Sequence, residues 1–159
     1  MSEREILLSV SNLKVTFDVY PSGAMPWTKP RKLKAVDGVD FDLFSGETLG
    51  IVGESGCGKS TLARAVARMV PASAGEVLWL GKDLLGMGAR DLKAVRSDVQ
   101  FIFQDPLASL NPRMTVGQII SEPLRTHHPD LSRDDVKARV KDMMEKVGLL
   151  PNMINRYPH

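Results

Sequence analysis

The residues Gly53-Glu54-Ser55-Gly56-Cys57-Gly58-Lys59-Ser60 satisfy every fixed position of the pattern G-x-x-x-x-G-K-[ST]. That spacing suits one task, holding phosphate. Gly53, Gly56 and Gly58 lack Cβ atoms, so the backbone can close round an anion. Its amides, those of Glu54, Ser55 and Cys57 included, then turn inward as a nest. A helix starting where the loop ends adds about half a positive charge at the same point. Lys59 brings a full cation for β and γ phosphates. Ser60 offers a hydroxyl to Mg²⁺, and Thr61 one to an α-phosphate oxygen. Cys57 has two readings, a small filler or a thiol activated by the helix start. No histidine lies nearby in the sequence to make it a nucleophile. The competing account of the whole run is a chance glycine-rich turn before a helix.

The flanking elements fit the loop. Thr48-Leu49-Gly50-Ile51-Val52 is a short apolar run bounded by glycine, as expected of a buried parallel strand. After the loop, Leu62, Val66 and Val70 recur every fourth residue, which predicts a helix from Lys59 to Val70, stopped by Pro71. Upstream, Leu13, Val15 and Phe17 alternate as a strand. Leu33 to Leu43 resumes that pattern, with Asp37-Gly38 as a turn signal. The stretch from Tyr20 to Lys32 holds three prolines and a glycine and reads as a loop. Its basic end suits phosphates or acidic lipid; the plainer account is a solvated loop.

Gly75 to Leu80 reads as another β segment, with a turn at Gly81-Lys82-Asp83, and Ala89 to Arg96 as a short helix. Val99 to Phe103 has strand length, and Gln104 to Arg113, with two prolines, is irregular. Helix follows. Thr115-x-x-Gln118 is a capping box opening a helix to about Thr126, with Pro123 placed to kink or end it. Ser132-x-x-Asp135 opens a second. There Val136, Val140, Met143, Met144 and Val147 form one apolar face, and Gly148 is the stop. The chain is thus mixed β and α/β to about Phe103, then helical.

A phosphate loop does not separate transporters, GTPases and kinases. In Val99-Gln100-Phe101-Ile102-Phe103-Gln104-Asp105-Pro106, Asp105 closes an apolar run and could hold Mg²⁺ through water, as in a small kinase or GTPase. Alternatively Gln104 resembles the Q-loop glutamine of ATP-binding-cassette ATPases, which meets Mg²⁺ and the attacking water.

Phe103-Gln104-Asp105-Pro106-Leu107-Ala108-Ser109-Leu110-Asn111-Pro112-Arg113 resembles the extended Q-loop of ATP-binding subunits from bacterial oligopeptide and dipeptide ATP-binding-cassette (ABC) importers. The runs Gly46 to Thr61, Ala35 to Val39, Glu122-Pro123-Leu124, Val147-Gly148-Leu149 and Arg156-Tyr157-Pro158-His159 resemble the same group, most closely its oligopeptide "F"-type subunit. The resemblance runs from about residue 6 to the end. It implies an α/β fold of the P-loop NTPase type. Residues to about 104 would form a β-subdomain and a RecA-like phosphate-loop core. Residues from about 105 to 159 would form the Q-loop and part of a helical subdomain.

It further implies an ATPase with MgATP, Lys59 and Gln104 as catalytic residues, and Ser60 and Gln104 toward the metal. Phe17 would stack on adenine, or else be an ordinary strand core residue, and Val36 would border the ribose. The partners implied are two membrane permease subunits and a second ATPase subunit. The place implied is the cytoplasmic face of the bacterial inner membrane.

The family continues past Tyr157-Pro158-His159 into an LSGGQ-type signature, a Walker B strand, a catalytic glutamate and a switch histidine. None of these occurs in the 159 residues, and no Ser-Gly-Gly-Gln run is present. The resemblance therefore implies an N-terminal portion that binds nucleotide and hydrolyses it poorly by itself, with sheet edges and apolar surface exposed. A third account is a non-catalytic nucleotide-binding fragment.

Composition narrows the classes. At 43% hydrophobic and 25% charged the chain is of ordinary globular type, and its length suits one domain with a real core. A net charge of +2 implies no broad nucleic-acid affinity. One cysteine rules out an internal disulfide and a Cys-based zinc cage. The charged start, Met1 to Glu5, leads into a run too short for a signal peptide, and no stretch reaches the ~20 apolar residues of a membrane span.

Overall fold

The computed structural model describes residues 4–23, 25 and 27–158. Met1 to Glu3, Ala24, Pro26 and His159, which enter the expectations for the start, the proline loop and the last family-like run, lie outside the described residues. The backbone divides between Lys93 and Ala94 into two compact units.

The first unit is built on an antiparallel sheet of order β2-β1-β3-β4. Its strands are β1 (Ile6–Val19), β2 (Arg31–Phe44), β3 (Ala74–Trp79) and β4 (Lys82–Asp83). Helix α1 (Lys59–Val66) follows the phosphate loop, and α2 (Ala89–Asp98) begins where the unit ends. Leu8, Val10, Leu13, Val15, Val36 and Val77 are buried, with Leu62 and Ala65 of α1.

A bulge puts them on one side. From Val10 to Leu13 the β1 chain advances three residues while its β2 partners move only from Phe41 to Val39. The extra residue flips the side-chain parity, so Leu8 and Val10 face the same way as Leu13 and Val15. Asn12 takes the left-handed turn, φ 47°, and its freed amide donates to Asp40 Oδ1 at 2.7 Å.

Opposite, Gly38 is passed over in the pairing between Val39 and Asp37. Asp37-Gly38 is therefore a bulge inside β2 rather than a turn. The reason is the neighbour: β1 pairs with β2 on both sides of the pair, so the chain bends without reversing.

Helix α1 stops at Val66, short of Val70. Arg68 adopts φ 51°, and with Met69 N donating to the Arg64 carbonyl and Arg68 N to that of Ala65 the backbone closes the helix before Pro71 is reached. The Arg68 guanidinium donates to the Met87 carbonyl.

Two expected strands do not form. Thr48–Val52 and Val99–Phe103 carry no strand structure; Val52 is 92% and Ile102 94% exposed. A strand needs a neighbour for its N–H and C=O groups, and among the described residues no strand pairs with either segment.

The second unit is helical: α3 (Pro106–Ser109), α4 (Val116–His127), α5 (Arg133–Lys146) and a 3₁₀ turn at Pro151–Met153. The capping box forms as expected. Thr115 Oγ1 accepts from Gln118 N, and Thr115 N donates to Gln118 Oε1 at 2.8 Å. The next two free amides, of Val116 and Gly117, donate to the carbonyls of Arg156 and Ile154. A Cβ at Gly117 would stand 2.6 Å from Ile154 Cγ1, so glycine lets the segment after α5 close on the start of α4. Pro123 sits inside α4 without ending it.

Val136, Val140 and Met144 of α5 are the buried centre, packed by Ile120, Leu124 and Ile154 among others. Met143 and Val147, assigned by their spacing to the same face, are 47% and 62% exposed. A three-residue stripe suffices for a single partner helix, and these two fall beyond its edge. Met144→Ala is expected to cost about 2–5 kcal/mol, and Met143→Ala under about 0.5 kcal/mol, both measured by urea unfolding.

Candidate functional site

The phosphate loop ends on α1 through Gly58, which has φ 102° and ψ 2°. A Cβ at this residue would stand 2.2 Å from the Ala35 carbonyl oxygen. Both the backbone angle and the space therefore require glycine. The same approach seats the helix start on β2. Helix α1 has no side-chain cap, so its first amides remain directed at whatever the loop encloses.

Lys59 lies across its own loop. Its ammonium donates to the carbonyls of Gly53 at 2.7 Å and Glu54 at 2.6 Å. Cys57 Sγ stands 3.6 Å from the same nitrogen. Two of the three ammonium protons thus tie the loop's first residues to the helix, and the charge stays beside the amides. Cys57 N closes a turn onto the Glu54 carbonyl. The Cys57 thiol is exposed, and a Cβ at Gly53 would meet it at 2.8 Å.

A cleft of about 410 Å³ lies between residues 34–39 of β2 and residues 57–59 of the loop. Buried Val36 lines it. At its edge Lys34 and Asp37 pair with each other at 3.1 Å. No described carboxylate pairs with Lys59, whose charge is left for a ligand.

The first unit thus gathers Val36, Cys57, Gly58 and Lys59 round one cleft. Ser60 and Thr61 sit on the first turn of α1. Phe17 lies outside the cleft lining, on β1 opposite Leu33, and is 37% exposed. It is therefore not a core side chain.

Gln104 belongs to the second unit, exposed, one residue before Asp105. Asp105 Oδ1 accepts from Leu107 N at 3.0 Å and Ala108 N at 3.1 Å, which caps α3. This role was missed in the sequence, although an Asp before a Pro at the first helical position signals it. The Ala35 carbonyl was missed too. No local pattern marks it, because its role comes from the fold bringing β2 to the loop.

Gly58→Ala adds a left-handed penalty of about 1–2 kcal/mol and an overlap with the Ala35 carbonyl. Gly46→Ala supplies the control, since Gly46 has φ 74° and open space around it. The Gly58 variant is expected to lower the urea midpoint clearly further than the Gly46 variant. Equal midpoints would mean that the loop does not press on β2.

The family model "ABC transporter" matches residues 36–158. The chain is 64% identical, over all of its 159 residues, to the oligopeptide transport ATP-binding protein OppF of Salmonella typhimurium and covers 48% of that protein. It is 58% identical to OppF of Haemophilus influenzae, over 99% of this chain and 48% of that one. It is 48% identical to the glutathione import ATP-binding protein GsiA of Escherichia coli, over 98% of this chain and 24% of that one. The chain spans about half the length of the OppF proteins it matches. Among solved structures, the dimeric ABC transporter cassette MJ0796 superposes with a TM-score of 0.75 at 22% identity, over 95% of this chain and 61% of that one. The fold is that of an ABC cassette, and the chain belongs to the ABC transporter family.

Proposed function

We propose that this chain binds MgATP and powers uptake of oligopeptides or dipeptides as the ATP-binding subunit of an ABC importer. The observation that carries the reading is the 64% identity with a protein named for oligopeptide transport and ATP binding, maintained over every residue of the chain.

In this reading the amides of Gly53 to Ser60 hold the phosphates. Lys59, already fixed on the Gly53 and Glu54 carbonyls, neutralises charge on the β and γ oxygens. Thr61 reaches an α oxygen, and Phe17, with its ring partly exposed, stacks on adenine. Ser60 would hold Mg²⁺, a hard cation suited to hydroxyl and phosphate oxygens. Bound there, the ion would offset charge on the phosphate oxygens. The Ser60 side chain is exposed, which leaves its oxygen open to it.

The partners are two membrane permease subunits and a second ATPase subunit, at the cytoplasmic face of the bacterial inner membrane. No helix among the described residues is long and apolar enough to cross a membrane. That suits peripheral attachment through partners. Residues to about 104 serve as β-subdomain and phosphate-loop core, and those from about 105 as Q-loop and helical subdomain.

A kinase or GTPase reading needs Asp105 for the metal, and its Oδ1 is occupied as a helix cap. Titration with a fluorescent ATP analogue in Mg²⁺ separates the two. A charged hydrogen-bond partner contributes about 1.5–3 kcal/mol, so Lys59→Ala is expected to weaken binding by about 10- to 150-fold. Asp105→Asn is expected to leave it unchanged; loss of Mg²⁺-dependent binding in that variant would overturn the importer reading. Alkylation of exposed Cys57 is expected to block binding, while Cys57→Ser retains it.

A further inference from the structure

The second unit holds a cavity of about 230 Å³ between α4 and α5 that the nucleotide site does not use. Val136, Val140 and Ile154 form its apolar part. Three cations stand round it, Arg125 of α4 with Arg133 and Lys137 of α5, and no Asp or Glu lines it.

These charges are not spent on neighbours. Among the described residues the Arg125 and Arg133 side chains make no ion pair or hydrogen bond. Lys137 meets Asp134 only loosely, at 3.7 Å with both groups exposed, a pairing that contributes little. The Asp135 carboxylate is taken up by the Ser132 hydroxyl at 2.6 Å.

Neutral donors join them. Gln118 commits Oε1 to Thr115 N, which leaves its NH₂ without a partner among the described residues. Thr115 Oγ1 accepts from Gln118 N, so its own proton is available. Arg133 is also the first residue of α5. A cation there opposes the helix dipole, offset in part by Asp134 and Asp135 in the same turn. Three cations on one hollow, two of them without a carboxylate partner among the described residues and the third only loosely paired, suit an oxyanion.

The geometry points to a second ligand site in this cavity, for a compact oxyanion, a phosphate or a carboxylate group, held by Arg125, Arg133 and Lys137 with Gln118 and Thr115 as neutral donors. It is separate from the phosphate loop in sequence and in chemistry, since side-chain cations rather than backbone amides form it.

The test follows backbone amide resonances of Gln118 and Ser121 in the full chain carrying Lys59→Ala, so that loss of the loop cation suppresses phosphate binding there. Inorganic phosphate and succinate are titrated separately, against sodium chloride at matched ionic strength. Saturating shifts with phosphate, succinate or both are expected, and the anion that saturates identifies the ligand's group. Arg125→Gln with Arg133→Gln is expected to weaken that binding at least tenfold, and Arg125→Lys with Arg133→Lys to restore part of it. Shifts that never saturate, that chloride reproduces, or that persist in the double glutamine variant would overturn the proposal. Unchanged resonances elsewhere in the second unit show that the variants fold.

Discussion

The contact on which the first unit's site depends is the approach of Gly58 to the Ala35 carbonyl. A loop of eight residues has no core of its own to fix it. It is held by its ends and by whatever it touches. Here the helix start lies where a Cβ would be 2.2 Å from a β2 carbonyl, so helix and sheet meet with no side chain between them. The sheet supports this through its interior. Leu13, Val15 and Val77 are fully buried, and Val36, one residue after Ala35, joins the same core. Moving Ala35 would disturb that packing, and interiors at crystal-like density yield little. The position of the Gly53–Ser60 loop is thus set by apolar side chains that lie outside it.

The β1 bulge belongs to the same chain of causes. Without the extra residue at Asn12, either Leu8 and Val10 or Leu13 and Val15 would point to the other face. Half of the core under α1 would be lost, and Leu62 and Ala65 with it. One left-handed residue, its amide held by Asp40, therefore keeps fourteen residues of strand on one task.

What was legible in the sequence is what is local. The phosphate loop is eight contiguous residues whose types fix its chemistry, and the Thr115–Gln118 box is a bond between residues three apart. The box forms where the pattern placed it, and α1 begins at Lys59 as the spacing required. What was not legible depends on a neighbour. Ile51-Val52 and Ile102-Phe103 have strand composition, but strand structure needs a partner strand, and none pairs with them among the described residues. Met143 and Met144 are the same residue type one position apart. They lie about 100° apart round α5, and only the second falls on the stripe that Ile120, Leu124 and Ile154 cover. The Asp37-Gly38 pair reads as a turn in isolation and becomes a bulge because β1 pairs on both sides of it. Asp105 carries two local signals, a carboxylate closing an apolar run and an Asp before Pro, and the second is the one seen, as the cap of α3.

Lys59 shows how one side chain reconciles order with reactivity. An ammonium free in solvent loses side-chain entropy when it takes up a phosphate, about 1.5–2 kcal/mol for a long chain. Here that loss is incurred on folding, because the Gly53 and Glu54 carbonyls already hold the nitrogen. The same carbonyls are dipoles with their negative ends on the cation, so they stabilise it without cancelling its charge, as a carboxylate would. A ligand then meets a cation that is placed, still charged and close to amides of matching sign. Arg125 and Arg133 are the opposite case, long cations with no carbonyl to hold them. A group bound between those two would have to order them itself. In the proposed reading the loop meets its ligand with the cation already ordered, whereas the proposed α4–α5 site must order Arg125 and Arg133 as it binds.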